Sequence, residues 1–449
     1  MARLTGREAA ALLQSAGMGR LNAERKGRLF DRAQKALQSL AVADGRPVQA
    51  WFVPGRLEVF GKHTDYAGGR SLLCAIERGY AVVAADRDDS HINLVDAKDG
   101  SVVHIVDAAA VAPAWSVYPL TVARRIATNF PEARRGADIA FESDLPAAAG
   151  MSSSSAMMIA VFLALAAVNE IASLDRYRSE IHTTEELAGY LATVENGRDF
   201  GSLAGGSGVG TFGGSEDHTA ILCCCANQLA QYAFAPTRRE RTVSLADQWV
   251  FAIAASGVAA EKTGSARSAY NDAAERAARI LDLWRAATGR DAPSLAAAMH
   301  DGSGMDRMRE LLDAHDRRAG AAARLRDRFE QFIEESERII PEVVDSIAAG
   351  RVDRIGILAD RSQELAERVL GNQVPETIAL ARSARAIGAS ASSAFGAGFG
   401  GSVWALIPAA HADAFLEQWS SEYRRAFPAA AREAVFFTTR PGPGALRLL

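Results

Sequence analysis

Residues 144–158 are Asp-Leu-Pro-Ala-Ala-Ala-Gly-Met-Ser-Ser-Ser-Ser-Ala-Met-Met, and this stretch decides the fold. Ile139–Glu142 before it alternate as in a short strand, and Ala156–Val168 after it form an apolar run of helical length. Such a junction presents free backbone N–H groups at the positive end of a helix, where an anion can bind. Small side chains let the anion approach, and serine hydroxyls can hold a phosphate or its Mg²⁺. The stretch therefore predicts an anion-binding turn in front of a core helix.

The same stretch also has a simpler interpretation. Serine is a favoured helix cap, so a capped core helix without any ligand is the alternative. Four consecutive serines soon after Gly150 favour anion binding over a cap alone. No Gly-Lys-Ser/Thr follows, so the turn is not a Walker-type loop.

The bulk composition limits the class of protein. The chain has 449 residues, of which 49% are hydrophobic and 23% charged, which predicts two domains or one large intertwined unit. A net charge of −4, with both signs scattered, argues against nucleic acid or an anionic membrane as the main partner. The N-terminus has no apolar signal core, and no uncharged apolar run is long enough to span a membrane. We expect a cytoplasmic protein.

Cysteine usage fits a reducing compartment. The four cysteines are Cys74 and the run Cys223-Cys224-Cys225, and they contain no CxxC pair that would suggest zinc. A disulfide framework is equally disfavoured. The apolar stretch Ala220–Ala226 predicts a buried strand that uses its thiols as small hydrophobic groups.

Periodicity outlines the remaining elements. Helices are predicted over 5–40, 118–129, 185–196, 266–288 and most of 291–370. Strands are predicted over 48–53, 72–84, 91–106, 248–255 and 402–407, the first of them ending at Pro54-Gly55.

A dense set of polar residues follows the first predicted strand. Within eleven positions lie Arg56, Glu58, Lys62, His63, Asp65 and Tyr66, surrounded by Gly55, Gly61, Gly68 and Gly69. Glycines allow tight turns, and these side chains offer varied hydrogen-bond donors and acceptors. The segment suits a polyhydroxyl ligand, and a polar loop with turn glycines is the alternative.

Three motifs in chain order resemble the GHMP small-molecule kinases, and specifically their galactokinase branch. Residues 54–69, Pro-Gly-Arg-Leu-Glu-Val-Phe-Gly-Lys-His-Thr-Asp-Tyr-Ala-Gly-Gly, resemble the galactokinase signature Gly-Arg-x-Asn-Leu-Ile-Gly-Glu-His-x-Asp-Tyr-x-x-Gly. Residues 146–156 are similar to the family's Pro-x-Gly-x-Gly-Leu-Ser-Ser-Ser phosphate loop, and 395–401 to its C-terminal glycine motif. Weaker similarities are Ala192-x-x-Glu195-Asn196, Gly214-x-x-Asp217, Ser256-Gly-Val258 and Tyr270-Asn271.

The resemblance implies an α/β fold of two domains, in which mixed sheets pack with helices and the active site lies in the cleft between the domains. We place the N-terminal domain at 1–220 and the C-terminal domain at 221–449. The family transfers the γ-phosphoryl group of ATP with Mg²⁺ to a hydroxyl, which in galactokinases is the anomeric hydroxyl of the sugar. The implied ligands are a free sugar and ATP, and we expect a monomer or weak oligomer.

The resemblance also implies roles for individual residues. Asp217 matches the catalytic aspartate, which accepts the hydroxyl proton or orients the hydroxyl. Arg56 matches its arginine neighbour, which keeps that carboxylate ionised and offsets charge developing on the phosphoryl group. Ser154 and Glu195 match the Mg²⁺ ligands. The cradle for the phosphates would comprise Gly150, Met151, Ser152, Ser153 and Ser154, and the sugar site His63, Asp65, Gly214 and Tyr270.

Several positions depart from the family pattern. Ala148 and Met151 replace a glycine and a leucine of the phosphate loop, and we expect both to be tolerated. Glu58 replaces asparagine. Lys62 replaces the glutamate that contacts the exocyclic C6 hydroxyl, so an acceptor has become a donor-only cation. If Lys62 faces the pocket, a uronic acid such as galacturonate is the substrate; if it turns toward solvent, galactose binds with one contact fewer.

Other functions stay open from the sequence alone. An amino-sugar kinase is one, and a GHMP kinase for isoprenoid or amino-acid intermediates is another. A sensor that binds sugar and ATP without turnover belongs to a different class. The intact serine run favours catalysis over the sensor. His218 stands where glutamine is usual in the family; we expect it to pack against the loop, and a contact with substrate is the alternative.

Overall fold

The computed structural model of the chain describes residues 4–40, 42, 46–106, 114–260, 267–300, 302, 304–319 and 324–449. Its α-helices are α1 Gly6–Ser15, α2 Arg20–Ser39, α3 Val117–Asn129, α4 Ser153–Val168, α5 Asp175–Arg178, α6 Thr184–Asn196, α7 Glu216–Cys223, α8 Arg267–Thr288, α9 Leu295–Met299, α10 Gly304–Ala319, α11 Leu325–Ile333, α12 Ile340–Ala348, α13 Val352–Leu365, α14 Pro375–Ala386 and α15 Ala412–Ala426. A π-helical segment, Glu334–Ile339, joins α11 to α12.

The strands fall into two sheets. They are β1 Val48–Phe60, β2 Arg70–Asp86, β3 Ile92–Asp96, β4 Val102–Ile105, β5 Ala137–Ser143, β6 Gln228–Ala233, β7 Arg238–Ser244, β8 Trp249–Ala255, β9 Ala391–Phe395, β10 Ser402–Pro408, β11 Val435–Thr439, β12 Pro441–Gly442 and β13 Leu446–Arg447. Within the described residues, nine strands form the first sheet and four form the second. This mixture of helices and two sheets confirms the predicted α/β class.

The first sheet is mixed. Its main order is β13-β1-β2-β5-β3-β4, with β6 and β12 also pairing to β2 and with β7 pairing to β6. The β3–β5 pair is parallel, whereas β1–β2 and β2–β5 are antiparallel. Helices α3, α4 and α6 pack into the core on one face, and α1 and α2 cover the other.

Helix α4 is the buried helix that the serine stretch predicted. Its sequence is apolar around its whole circumference, which is typical of a helix enclosed on all sides. It contacts β1, β2 and β5 as well as α3, α6 and α7. The helix that carries the phosphate-loop candidate is therefore held rigidly by its packing.

The second sheet is antiparallel, with the order β11-β8-β10-β9. One of its faces shares a core with the far half of β1 and with α12 and α13, and its other face packs on α14 and α15. Trp404 of β10 lies in the shared core, where its ring is 5.7 Å from that of Phe60 and its Nε1 donates to the carbonyl oxygen of Val59. This core joins the two halves of the molecule next to the sugar-signature segment.

The predicted helices over 5–40, 118–129, 156–168, 185–196, 266–288 and most of 291–370 are confirmed for the residues that the structure describes; 266, 301, 303 and 320–323 lie outside them. The predicted strand over 220–226 is wrong, because Glu216–Cys223 forms the helix α7. A short apolar run cannot be assigned to strand or helix by periodicity alone. The acidic first turn, Glu216 and Asp217, suits a helix N-terminus because the positive end of the helix dipole attracts negative charge.

The predicted end of the first strand at Pro54-Gly55 is also wrong. β1 continues to Phe60, and a register shift between Pro54 and Arg56 absorbs the irregularity. Proline lacks an N–H group to give to the ladder, so a bulge is where a strand tolerates it. The bulge therefore places Arg56 inside the sheet, whereas the prediction placed it in a loop after the strand.

The division at residue 220 stays a prediction. Residues on its C-terminal side contribute β6, β7, β12 and β13 to the first sheet, so the chain crosses between the two sheets more than once. No helix in the described ranges combines the length and the apolar composition needed to cross a membrane.

Candidate active site

A pocket lies where the first sheet meets the glycine-rich turn after β9. The bulge of β1, the loop that follows it, the end of α6 and the start of α7 all reach it. Its walls are Arg56, Glu58, His63, Asp65, Tyr66, Ala192, Glu195, Asn196, Gly213, Gly214, Glu216, Asp217, His218, Gly396 and Ala397. The structure thus brings together residues of the first and third motifs with Glu195 and Asp217 of the weaker similarities.

A buried ion pair joins Arg56 to Asp217. The Nε atom of Arg56 lies 2.8 Å from Oδ1 of Asp217, and its Nη1 donates to the carbonyl oxygen of Gly150 at 2.7 Å. At the bulge, the backbone N–H of Arg56 does not pair with the neighbouring strand and donates instead to the carbonyl oxygen of Met151 at 3.2 Å. Burial opposes the charge on Arg56, but Asp217 and other nearby carboxylates outweigh it and raise the pKa of Arg56 above its ordinary value. The pair couples the pocket to the phosphate-loop candidate.

Helix α4, which follows the serine-rich turn, has no side-chain cap at its N-terminus. Ser152, the residue before the helix, has a left-handed backbone with φ 57° and makes no side-chain cap. Its Oγ is buried and has no hydrogen-bond partner among the described residues. Gly150 is also left-handed, with φ 71°. An orphan hydroxyl beside uncapped N–H groups is what an anion site requires.

The other predicted members of the phosphate cradle differ in exposure. Ser153 and Ser154 occupy the first turn of α4 and are half-buried. Met151 has a side chain only 1% exposed that belongs to the core shared by the two sheets, so its contribution to a cradle is limited to its backbone.

Glu195 stands at the end of α6, opposite the start of α4. Its Oε2 accepts a hydrogen bond from Ser155 Oγ at 2.8 Å and lies 3.5 Å from Nε2 of His218. The serine that donates to Glu195 is thus Ser155, the fourth of the run, which the sequence analysis did not single out. The length of the serine run was the only sign of it in the sequence. His218 lines the pocket, where the alternative of a substrate contact stays a prediction.

The predicted sugar residues meet on one wall. Oδ2 of Asp65 accepts the backbone N–H of Glu216 at 3.2 Å, which joins the sugar loop to α7. The backbone of Gly214 lies so close to Asp65 that a Cβ at position 214 would be 2.5 Å from Oδ2 of Asp65. His63 sits beside Tyr66, whose Oη is 3.0 Å from its Nδ1. Tyr270 is at the start of α8, and its side chain lies outside the described part of the structure.

Two buried carboxyl groups, those of Glu58 and Glu216, also line the pocket; Glu58 belongs to the polar segment proposed for a polyhydroxyl ligand, whereas Glu216 was missed. Oε2 of Glu58 accepts the backbone N–H of Gly396 at 3.3 Å, and Oε2 of Glu216 accepts the hydroxyl of Ser71 at 2.7 Å. Burial raises the pKa of Glu58 to about 7 against the opposing charges of Arg56 and Lys62. Burial, and then the neighbouring Glu58, raise the pKa of Glu216 well above its ordinary value. The replacement of asparagine by Glu58 was visible in the sequence, but its partner was not.

Lys62 does not face the pocket. Its side chain is buried, and its Nζ donates at 2.8 Å to the hydroxyls of Ser362 and Ser393. The prediction that it turns toward solvent is therefore wrong, and so is its assignment as a sugar contact. The uronate alternative also loses its support, because five carboxyl groups line the described pocket and would repel a sugar carboxylate.

Three family models match the chain in order. They are the galactokinase galactose-binding signature over residues 42–86, the GHMP kinases N terminal domain over 117–206 and the GHMP kinases C terminal over 343–425. The pocket lies where the matched segments meet, since the first contributes Arg56 and His63 and the second Glu195.

Curated relatives match over part of their length. A galactokinase from Glaesserella parasuis is 40% identical over 117 residues, which are 25% of this chain and 30% of the relative. One from Actinobacillus pleuropneumoniae is 36% identical over 118 residues, with the same two shares. The sequence match to such galactokinases thus spans about a third of their length.

Solved structures extend the likeness to nearly the whole chain. Lactococcus lactis galactokinase complexed with galactose aligns with a TM-score of 0.73 and 21% identity, over 92% of this chain and 99% of that one. A D-glycero-D-manno-heptose 1-phosphate kinase from Bacteriodes thetaiotaomicron aligns with a TM-score of 0.54 and 12% identity, over 89% and 98%. At these identities the structures establish the shared fold. Together with the three matched models, this fold makes the chain similar to the GHMP kinases, and in particular to galactokinases.

Proposed function

We propose that this protein is an ATP-dependent sugar kinase that phosphorylates the anomeric hydroxyl of galactose or a closely related neutral sugar. The observation that carries the proposal is the buried ion pair of Arg56 and Asp217 in a polar pocket, with Arg56 also bonded to Gly150 of the phosphate loop. Phosphoryl transfer depends mainly on positioning and on electrostatic stabilisation, and this arrangement supplies both.

Asp217 is the residue placed to act on the sugar hydroxyl. Its carboxylate lies in the pocket and pairs with Arg56, so it can accept the hydroxyl proton or orient the hydroxyl for attack. Arg56 faces the phosphate loop with its other nitrogen, where it can offset negative charge on the transferred group. No covalent enzyme intermediate is needed.

The phosphates of ATP would bind at the start of α4. The orphan hydroxyl of Ser152, the first-turn N–H groups and the left-handed Gly150 support this placement. Ser153 and Ser154 would add hydroxyls.

Mg²⁺ would bind at Ser154 and Glu195. Both are hard oxygen donors, and Glu195 is a pocket carboxylate that already holds a serine hydroxyl. The ion would neutralise charge on the phosphates. His63, Asp65 and Gly214 would contact the sugar on the opposite wall.

Galactose is the first sugar to test. The galactose-binding signature over residues 42–86 and the likeness to galactokinases support it, and the acidic pocket favours a neutral sugar over a uronic acid. We place the enzyme in the cytoplasm, where ATP is abundant. A monomer or weak oligomer remains our prediction.

The test is ADP release with ATP and Mg²⁺ over a panel of free sugars: galactose, glucose, arabinose, N-acetylgalactosamine and galacturonate. We expect turnover on galactose or a close neutral relative, and none on galacturonate. Asp217→Asn, which keeps the shape of the side chain, should lower kcat at least about 100-fold.

Two outcomes would overturn the proposal. Turnover that persists in Asp217→Asn would remove the assigned role of the aspartate. Sugar binding without any ADP release would support a sensor.

A further inference from the structure

A buried arginine from the C-terminal half of the chain supports the sugar loop. Arg328 of α11 is fully buried, and its Nη2 donates to the backbone carbonyl of His63 at 2.6 Å. The same nitrogen lies 3.3 Å from Oη of Tyr66. Its Nη1 donates to the Oε1 of Gln331, whose Nε2 in turn donates to the carbonyl of Lys62 at 3.3 Å. Two successive carbonyls of the sugar loop are therefore held from one helix.

These bonds hold a strained residue. His63 has a left-handed backbone with φ 59°, which a residue with a Cβ rarely adopts. Such a conformation persists only where surrounding contacts over-determine it, and strained residues cluster at binding sites. The charge-assisted bond from Arg328 to the carbonyl of His63 is a contact of this kind.

The same arginine sets the direction of a hydrogen-bond chain. A guanidinium can only donate, so Oη of Tyr66 accepts from Arg328. Burial raises the pKa of Tyr66 to about 12, so its hydroxyl keeps a proton at neutral pH. That proton is directed at Nδ1 of His63, 3.0 Å away. Nδ1 must then be the unprotonated nitrogen, which leaves the proton of the neutral ring on Nε2.

The last hydrogen bond of this series, from His63 to Ala397, requires the same tautomer. Nε2 of His63 lies 3.2 Å from the carbonyl oxygen of Ala397, in the glycine-rich turn after β9. A carbonyl oxygen can only accept, so Nε2 must carry the proton. A donor-only group at one end and an acceptor-only group at the other fix one tautomer of His63 between them.

We infer that Arg328 is a positioning residue that fixes the orientation and the tautomer of His63 through Tyr66, so that Nε2–H donates to the carbonyl oxygen of Ala397 and ties the sugar loop to the glycine-rich turn after β9. This inference rests on the proposed function in one respect: the sugar would bind against the pocket wall that these two segments form.

The tautomer is tested directly by ¹⁵N NMR of the histidine rings, with His63 assigned by the signals lost in His63→Asn. We expect Nε2 to be protonated in the wild type. Tyr66→Phe, which removes only the hydroxyl, should give a mixture of tautomers. Arg328→Lys should weaken the preference while keeping a buried cation.

Steady-state kinetics give the functional readout. Loss of one oriented hydrogen bond should raise the KM for sugar about tenfold in Tyr66→Phe and Arg328→Lys, with a smaller change in kcat and none in the KM for ATP. Arg307→Met, which removes an exposed arginine of α10, is the matched control and should change neither constant.

Several results would overturn the inference. One is a wild-type His63 protonated on Nδ1, and another is a tautomer that stays the same in Tyr66→Phe and Arg328→Lys. An unchanged KM for sugar in both variants would remove the positioning role. The NMR readout needs no turnover, so it separates failure of this inference from failure of the kinase proposal.

Discussion

Replacing Lys62 with methionine should cost stability without changing sugar selectivity. The lysine is 1% exposed, and its Nζ bonds to two serine hydroxyls at 2.8 Å. One of these, Ser362 Oγ, donates in turn to Oε1 of Glu335 at 3.0 Å. The cation therefore stabilises a buried polar network between the two sheets.

The magnitude follows from those contacts. Each hydrogen bond from a charged donor contributes about 1.5–3 kcal/mol, and methionine is close to lysine in volume, so little cavity forms. We expect Lys62→Met to lower the free energy of unfolding by about 3 kcal/mol, which a protein of ordinary stability survives. Lys62→Glu adds a carboxylate near Glu58 and Glu335 and should be more destabilising.

Urea unfolding followed by tryptophan fluorescence measures the effect. Lys35→Met, at an exposed position of α2, is the control and should change the free energy of unfolding by less than about 0.5 kcal/mol. In the kinase assay, Lys62→Met should keep the wild-type ranking of sugars. If its stability instead matches the wild type and galacturonate or galactose selectivity changes, Lys62 is a pocket residue and the reasoning is refuted.

Three further changes test other parts of the site. Gly214→Ala should raise the KM for sugar at least about tenfold, with the KM for ATP unchanged, because its Cβ would lie 2.5 Å from Oδ2 of Asp65. Ala148→Gly should raise the free energy of unfolding in urea by about 1 kcal/mol, because φ is 47° at this position. Glu58 should contribute a fall on the order of 3 kcal/mol in the free energy of unfolding as pH rises from 4.5 to about 7, because folded Glu58 keeps a proton that the unfolded chain releases. Glu58→Gln should flatten that slope, and an equal slope in both proteins would contradict the assignment.

The sequence was a good guide where one local rule governed. An apolar run after small residues and serines predicted both α4 and the turn before it, because a helix enclosed on all sides needs apolar residues throughout its circumference. The strand predicted over 220–226 was wrong because a short apolar run fits a buried helix equally well.

Local sequence patterns could not predict which partners a side chain meets in the folded protein. The replacement at Lys62 was evident from the motif, but its buried partners, Ser362 and Ser393, lie some 300 positions further along the chain. The same holds for Glu58 with Glu216 and for Arg328 with His63, where the fold alone decides which groups meet.

The most direct test of the central proposal is the identity of the product formed from galactose, ATP and Mg²⁺, followed by ³¹P and ¹H NMR in parallel for the wild type and Asp217→Asn. We predict a sugar phosphate esterified at the anomeric carbon, formed together with equimolar ADP, at a rate at least about 100-fold lower in the variant. Phosphate on another hydroxyl, or equal rates in the two proteins, would contradict the roles assigned to the pocket and to Asp217.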